Sequence, residues 1–395
     1  MQLAYTPEDE AFREEVRSFL RDNLPPELAR KEAKGFHLHR SEVDPWHRVL
    51  NDRGWAAPNW PKEYGGPGWT PIQKYLFELE YGLANGPEIS LIALGMAGPV
   101  ICRFGSDEMK ARFLEPMLRA ELWFCQGFSE PQSGSDLASL RTRAVRDGDE
   151  YVISGQKIWT TSAHMADYMI CLARTNDQVK PQAGLSMILV PMNAPGVEVR
   201  WIPTIDGSRN VNEVFLDEVR VPVGNLIGEP DTGWSQAKFL LNNERTHNAY
   251  AGMLKRYVRR IPGMIDQALE EGMSAESAAE YRRRVARLEI DVDALEWSVL
   301  RVLASEESPL LGAAASALKI RGSELLLRAG ELELAIAGTQ MAPRFKPADA
   351  TPFLADASDW VPGKLDQYLY FRASTIFGGT NEIQRGIIWN SLYRR

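Results

Sequence analysis

Cysteine is scarce: Cys102, Cys125 and Cys171 are the only three in 395 residues. Their spacings make neither a CxxC pair nor an even framework, so no disulfide scaffold is expected and reduced thiols in a cytoplasmic setting are. Histidine is almost as rare. The five (His37, His39, His47, His164, His247) form no HExxH and no pairing with cysteine, so no metal centre is expected. Positive charge is in deficit, 45 Lys and Arg against 53 Asp and Glu, net −8, which argues against non-specific nucleic-acid binding. No apolar run approaches the roughly 20 residues that span a bilayer, so no membrane association is expected. The acidic start, Met1 to Glu10, is unlike a secretory signal. A Walker loop, a GxSxG elbow and a GxGxxG turn after a strand are all missing.

What is present changes character along the chain. Thr6-Pro7-Glu8-Asp9-Glu10 reads as a helix start: a capping Thr, Pro at the first position, and acids in the first turn. Phe12, Val16, Phe19 and Leu20 then form an amphipathic stripe, ended by Pro25-Pro26. Breakers fill Trp55 to Gly68, a loop. Helical spacing returns over Pro71 to Leu83 and Ile89 to Phe104, and Ser106 reads as another cap. From about residue 121 the pattern is short apolar strands, with Ser154-Gly155-Gln156 as a hairpin turn between Tyr151–Ile153 and Lys157–Thr161. Helices resume after Gly233, with Val285 to Leu303 and Ala313 to Ala337 as long examples. The expectation is an α+β chain of three domains: an N-terminal helical one (1–120), a central antiparallel β domain (121–229) and a C-terminal helical bundle (230–395).

Three stretches can carry chemistry. Ser129-Glu130-Pro131-Gln132-Ser133-Gly134-Ser135-Asp136 offers hydroxyls and glycine-freed amides suited to a phosphate or the polar edge of a ring, although such clusters commonly just make turns. Gly155 to Thr161 sets Trp159 beside hydroxyls, where it could lie against a flat cofactor or simply serve the core. Phe377-Gly378-Gly379-Thr380-Asn381-Glu382 precedes a helix, an anion-friendly start. The arginines at 256, 259, 260, 282, 283, 284 and 287 read as a solvated helix face or, more sharply, a phosphate site.

In this order the motifs resemble the acyl-CoA dehydrogenase family, flavoproteins that oxidise the α–β bond of acyl-CoA thioesters. The matching residues are Glu130 to Asp136, Gly155 to Thr161, Gly233-Trp234, Glu244-Arg245 and Gly379 to Arg385. The resemblance implies the family fold with a C-terminal four-helix bundle, FAD as cofactor and an electron-transfer flavoprotein as electron acceptor. It implies flavin contacts at Gln126, Phe128, Ser129, Trp159 and Thr161, with Thr380 and Glu382 toward the flavin phosphate and ribose. Ser135, Asn242, Arg245 and Gly378 would meet the acyl-CoA. The reaction needs a carboxylate base for the α-proton, and burial raises such a carboxyl toward the working pH. Much of the family carries it just before the C-terminal Gly-Thr. That position is Gly378 here, and the family's other base position, before the Arg, holds Glu244.

Two family signatures are replaced. Tyr257 to Met264 stands where an Arg-x-x-Phe-Gly motif is expected, and a Pro- and Asp-rich run (Ala342 to Leu365) stands in place of Gly-Gly-x-Gly. In this the chain is similar to the larger, catalytic subunits of bacterial pimeloyl-CoA and steroid side-chain dehydrogenases, implying either a homo-oligomer or a heterotetramer with a paralogous subunit. An acyl-CoA oxidase of the same superfamily and a scaffold subunit are the competing readings. Thr246, Asn248, Ala249, Gly252 and Gly378 are small enough to leave room for a branched, cyclic or long acyl group.

Overall fold

The computed structural model describes residues 5–243, 250–304, 311–341 and 360–393. Thr6 caps the first helix, α1 (Pro7–Asn23), through a reciprocal pair: the Asp9 amide donates to Thr6 Oγ1 at 3.1 Å and the Thr6 amide to the Asp9 carboxylate at 3.2 Å. α2 (Pro26–Lys34), α3 (Arg40–Asp52) and α4 (Pro71–Leu83) follow. A π-helical turn over Ile92–Ala97 leads into α5 (Gly98–Phe104), and Ser106 caps α6 (Asp107–Leu118) by accepting from the Met109 amide. The aromatic rings of Phe12, Phe19, Trp55, Trp69 and Phe77 pack edge to face at the centre of these helices.

The middle of the chain forms one seven-stranded sheet: β1 (Phe124–Gly127), β2 (Arg143–Asp147), β3 (Glu150–Thr161), β4 (Tyr168–Arg174), β5 (Leu185–Pro191), β6 (Val197–Trp201) and β7 (Val211–Pro222). The antiparallel pairs are β2–β3, β3–β7, β4–β5 and β6–β7, while β1 adds to β4 in parallel, Phe124 opposite Tyr168. β4 and β5 are apolar over residues 169–173 and 187–190 because both faces are covered. Met169, Cys171, Ile188 and Val190 face a core within the sheet, and Ile170, Leu172, Met187 and Leu189 join the core shared with the helices.

The expected hairpin at Ser154-Gly155-Gln156 is not a turn. β3 runs straight through it with a bulge, and Gly155 is there because a Cβ would collide with Thr142. The turn lies earlier, at Gly148-Asp149, where Asp147 pairs with Glu150 and Gly148 takes φ +63°.

After the sheet come α7 (Gly233–Asn243), α8 (Ala251–Glu270), α9 (Ala275–Leu303), α10 (Leu311–Ala337), α11 (Lys364–Phe371) and α12 (Asn381–Tyr393). α8, α9, α10 and α12 pack as a bundle around α10, and α7 lies on β5 and α5. Among the described residues no helix is long and apolar enough to cross a membrane.

Candidate active site

β1 delivers the chain to Phe128, Ser129 and Glu130 at one edge of the sheet. Gly127 leaves room for the Met169 sulfur, which would have to shift to admit a Cβ here. Beside this edge, the β3–β7 register shifts between Lys157 and Thr160. The bulge frees Ile158, whose amide turns to the Ser129 carbonyl at 2.9 Å. Trp159 follows with φ +58° and is 57% exposed. An indole is costly in the left-handed region and gains little from burial here, so neither backbone preference nor the core accounts for it. Thr161 and Ser129 are half-buried beside it, and Gln126 is half-buried on β1 opposite Ile170. The Phe128 side chain is buried.

Two charged residues beneath this edge were not legible as site residues. Lys157 is fully buried, and its ammonium donates to the carbonyls of Phe128 (3.2 Å) and Leu172 (2.8 Å) and to Glu130 Oε1 (2.8 Å). The Glu130 carboxylate also accepts from the amides of Arg141 (2.6 Å) and Thr142 (2.8 Å). Burial alone would raise the Glu130 pKa, but the charge and hydrogen bond of Lys157 and those donors hold it below the usual value. The available signal was a lysine at an inward position of an otherwise apolar alternation.

Ser135 is exposed on the loop that Glu130 closes, and the Ser133 hydroxyl donates to the Asp136 carbonyl at 2.8 Å. Next to this loop a hollow of about 430 Å³ is lined by Arg141, Arg143, Arg174 and Asp177, among others. Arg143 pairs with Asp177, and Arg174 spends its guanidinium on the carbonyls of Ala138, Leu140 and Pro181.

A second cluster forms at the start of α12. Gly378 (φ +65°) and Gly379 (φ +84°) take left-handed conformations, and Thr380 Oγ1 accepts from the Ile383 amide at 3.1 Å. Glu382 is exposed and pairs with Arg385 at 3.2 Å. Asn381 is buried and accepts from Lys319 Nζ at 3.0 Å, while burial pushes the Lys319 pKa down to about 8. A thread connects the clusters: the Ser162 amide donates to the Asn210 carbonyl (2.8 Å), Asn210 Nδ2 donates to the Tyr370 hydroxyl (3.2 Å), and the Tyr370 ring lies 6.4 Å from that of Phe377. Asn242 lies near the end of α7. Glu244 and Arg245 lie outside the described residues, as do Thr246, Asn248 and Ala249.

The basic cluster divides. Arg256 and Arg260 are not a solvated face and are committed within the protein: Arg256 to Glu32 and Asn85, Arg260 to Glu333 and the Ala33 carbonyl. Arg282 and Arg283 are exposed and paired with Asp266 and Glu280.

The described residues thus form a helical domain, a sheet and a helical bundle, with an exposed tryptophan held in a left-handed conformation where β3 bulges. Models of the acyl-CoA dehydrogenase N-terminal, middle and C-terminal domains match residues 6–121, 125–219 and 231–393. The chain belongs to the acyl-CoA dehydrogenase family and is an oxidoreductase acting on acyl-CoA. It is 34% identical to the acyl-CoA dehydrogenase IpdE1 of Mycobacterium tuberculosis over 96% of each chain, and 32% identical to FadE29 of the same organism over 98% of this chain and 97% of that one. Among solved structures it superposes on the ChsE4–ChsE5 complex from Mycobacterium tuberculosis (TM-score 0.82, 32% identity, 99% and 98% of the two chains). It also matches the Tcur3481–Tcur3483 steroid acyl-CoA dehydrogenase (TM-score 0.83, 30% identity, 99% and 98%).

Proposed function

We propose that this chain is the catalytic subunit of an FAD-dependent enzyme that converts an acyl-CoA thioester to its trans-2-enoyl-CoA. The observation that carries the reading is Trp159, exposed and held in a left-handed conformation beside Ser129. The residues fit a flavin: an aromatic face at the sheet edge, half-buried hydroxyls at Ser129 and Thr161, and amides near Phe128 for the ring's polar edge. Thr380 and Glu382 would reach its phosphate and ribose. When bound, the flavin supplies the acceptor, at N5, for the hydride that leaves the β-carbon.

Glu244 takes the α-proton. The α-carbon's electron pair becomes the new double bond as the β-hydride departs, so one proton and one hydride leave and the thioester stays intact. Ser135 and Arg245 bind the CoA portion, and Arg141, on the wall of the hollow beside the Ser135 loop, adds a cation there. Gly378 and Asn242 are the residues assigned to the acyl group, and with glycine at 378 no carboxylate precedes Gly379-Thr380. That space suits an acyl group bulkier than a straight chain, in keeping with the steroid enzyme among the structural relatives. Electrons pass on to an electron-transfer flavoprotein.

Glu244→Gln tests the assignment. It should keep the flavin spectrum and abolish bleaching by acyl-CoA under nitrogen. Full bleaching by the variant would overturn Glu244 as the base.

A second reading has the flavin site completed by a paralogous subunit. Tyr257 to Met264 in place of Arg-x-x-Phe-Gly favours it, as does the two-protein composition of the ChsE4–ChsE5 complex. The exposed Ile383, Trp389, Leu392 and Tyr393 of α12 offer an apolar surface to such a partner. A protein that is colourless alone and yellow after co-expression with a paralogue would establish this assembly.

A further inference from the structure

We infer that Lys157 and Glu130 form a strut that positions both walls of the flavin site, an inference that rests on the flavin reading above. The two walls come from stretches 27 residues apart, as the Lys157–Glu130 separation shows. One is the irregular run Phe128–Glu130 beyond β1. The other is the bulge at Ile158 and Trp159, which has left the β7 ladder.

Neither wall has regular strand pairing to set its height. The direct tie between them is the Ile158 amide on the Ser129 carbonyl, 2.9 Å. Lys157 stands one residue before that amide. Its ammonium reaches back across the sheet edge to the Phe128 carbonyl, one residue before Ser129, and to Glu130, one residue after. The third acceptor, the Leu172 carbonyl, lies on β4. The three acceptors fill the donor capacity of a lysine.

Glu130 extends the tie outward. Its carboxylate takes the amides of Arg141 and Thr142 as well as Gln132 Nε2 at 3.0 Å. The loop carrying Ser135 is thereby closed at its base by the group that fixes Ser129. One buried ion pair sets the distance from flavin wall to flavin wall and anchors the loop assigned to CoA.

A buried pair is a weak source of net stability, because desolvation offsets attraction. Removing one member leaves an uncompensated charge. Several donors converging on a buried pair specify geometry, and the geometry here is that of the two walls. Lys157 and Glu130 are therefore positioning residues, acting through Ser129 and Trp159.

The test compares Glu130→Gln and Lys157→Met with the parent, in whichever assembly holds FAD. Amide hydrogen exchange is followed at Ile158 and over 128–130, and FAD affinity through flavin fluorescence. Glu130→Gln keeps the carboxylate's shape and serves if Lys157→Met does not fold. Expected are faster exchange at Ile158 with the rest of the sheet unchanged, FAD binding weaker by at least about tenfold, and a shifted flavin absorption band. Unchanged exchange at Ile158 overturns the strut, whatever the flavin does. Faster exchange with unaltered flavin affinity and spectrum overturns its positioning role. A parent that takes up no FAD in any assembly sinks the flavin reading and with it the positioning role, whereas the exchange arm still decides whether the tie exists.

Discussion

Arg260 grips Glu333 with two parallel hydrogen bonds, Nε to Oε1 at 2.5 Å and Nη2 to Oε2 at 2.8 Å, between α8 and α10. The Glu333 side chain is only 2% exposed, so the contact is desolvated on the acidic side. Glu333→Gln would leave the guanidinium charged with no counterion, at a cost of about 3 kcal/mol. Equilibrium denaturation checks this, and a loss below about 1 kcal/mol would mean that solvent screens the pair.

Lys364 carries a pH dependence. Its ammonium sits on the Ala33 carbonyl, and burial, reinforced by Arg260 and Arg256, pushes its pKa down to about 7 despite Glu333 and Glu32 nearby. In the unfolded chain the group keeps its proton up to the ordinary lysine range. Between the two values the unfolded state binds more protons, so this residue's contribution to stability rises with pH from about 7 upward. Denaturation midpoints for the parent and Lys364→Met, measured at about pH 7 and about pH 9, should show that rise in the parent alone.

Trp159→Gly separates backbone strain from ligand binding. Glycine takes the left-handed conformation freely, so the flavin-free protein should be as stable as the parent or gain up to about 1 kcal/mol. Flavin affinity should fall because the aromatic face is gone. A thermal melt without flavin and a fluorescence titration with it make the comparison. A large loss of stability would mean that the indole serves packing.

Gly378→Ala should cost about 1 kcal/mol for placing a Cβ at φ +65°. In the proposed pocket the added methyl also narrows the space beside Gly379. The KM for a bulky cyclic acyl-CoA should rise more than that for a straight-chain one, with kcat moving less. Equal changes for both would remove Gly378 from the pocket wall.

Local chemistry was readable where neighbours in sequence are neighbours in space. Thr6 and Ser106 cap the helices their sequences announce, and the apolar β4 and β5 are the buried strands they resemble. Ser154-Gly155-Gln156 misleads because its glycine answers to Thr142 across the sheet edge and not to a turn. Lys157 and Glu130 both lie in stretches the sequence singles out, but their partnership forms only once the run after β1 and the bulge of β3 come together. Arg256 and Arg260 look like a solvated face for the same reason: Glu32 and Glu333 arrive from 224 and 73 residues away. The parallel addition of β1 to β4 leaves no local turn signal at all.

The contact between α2 and α11 has a further consequence. Gly35 lets Gln367 lie against its backbone, Gly363 does the same for the Lys34 carbonyl, and Lys364 reaches Ala33 across 331 residues of chain. On the ribosome, α2 must wait while the 331 residues that separate Ala33 from Lys364 are made before its partner emerges. A nascent chain, or one cut before α11, therefore shows an unfilled seam at α2, and closure of that seam depends on a segment made long after it.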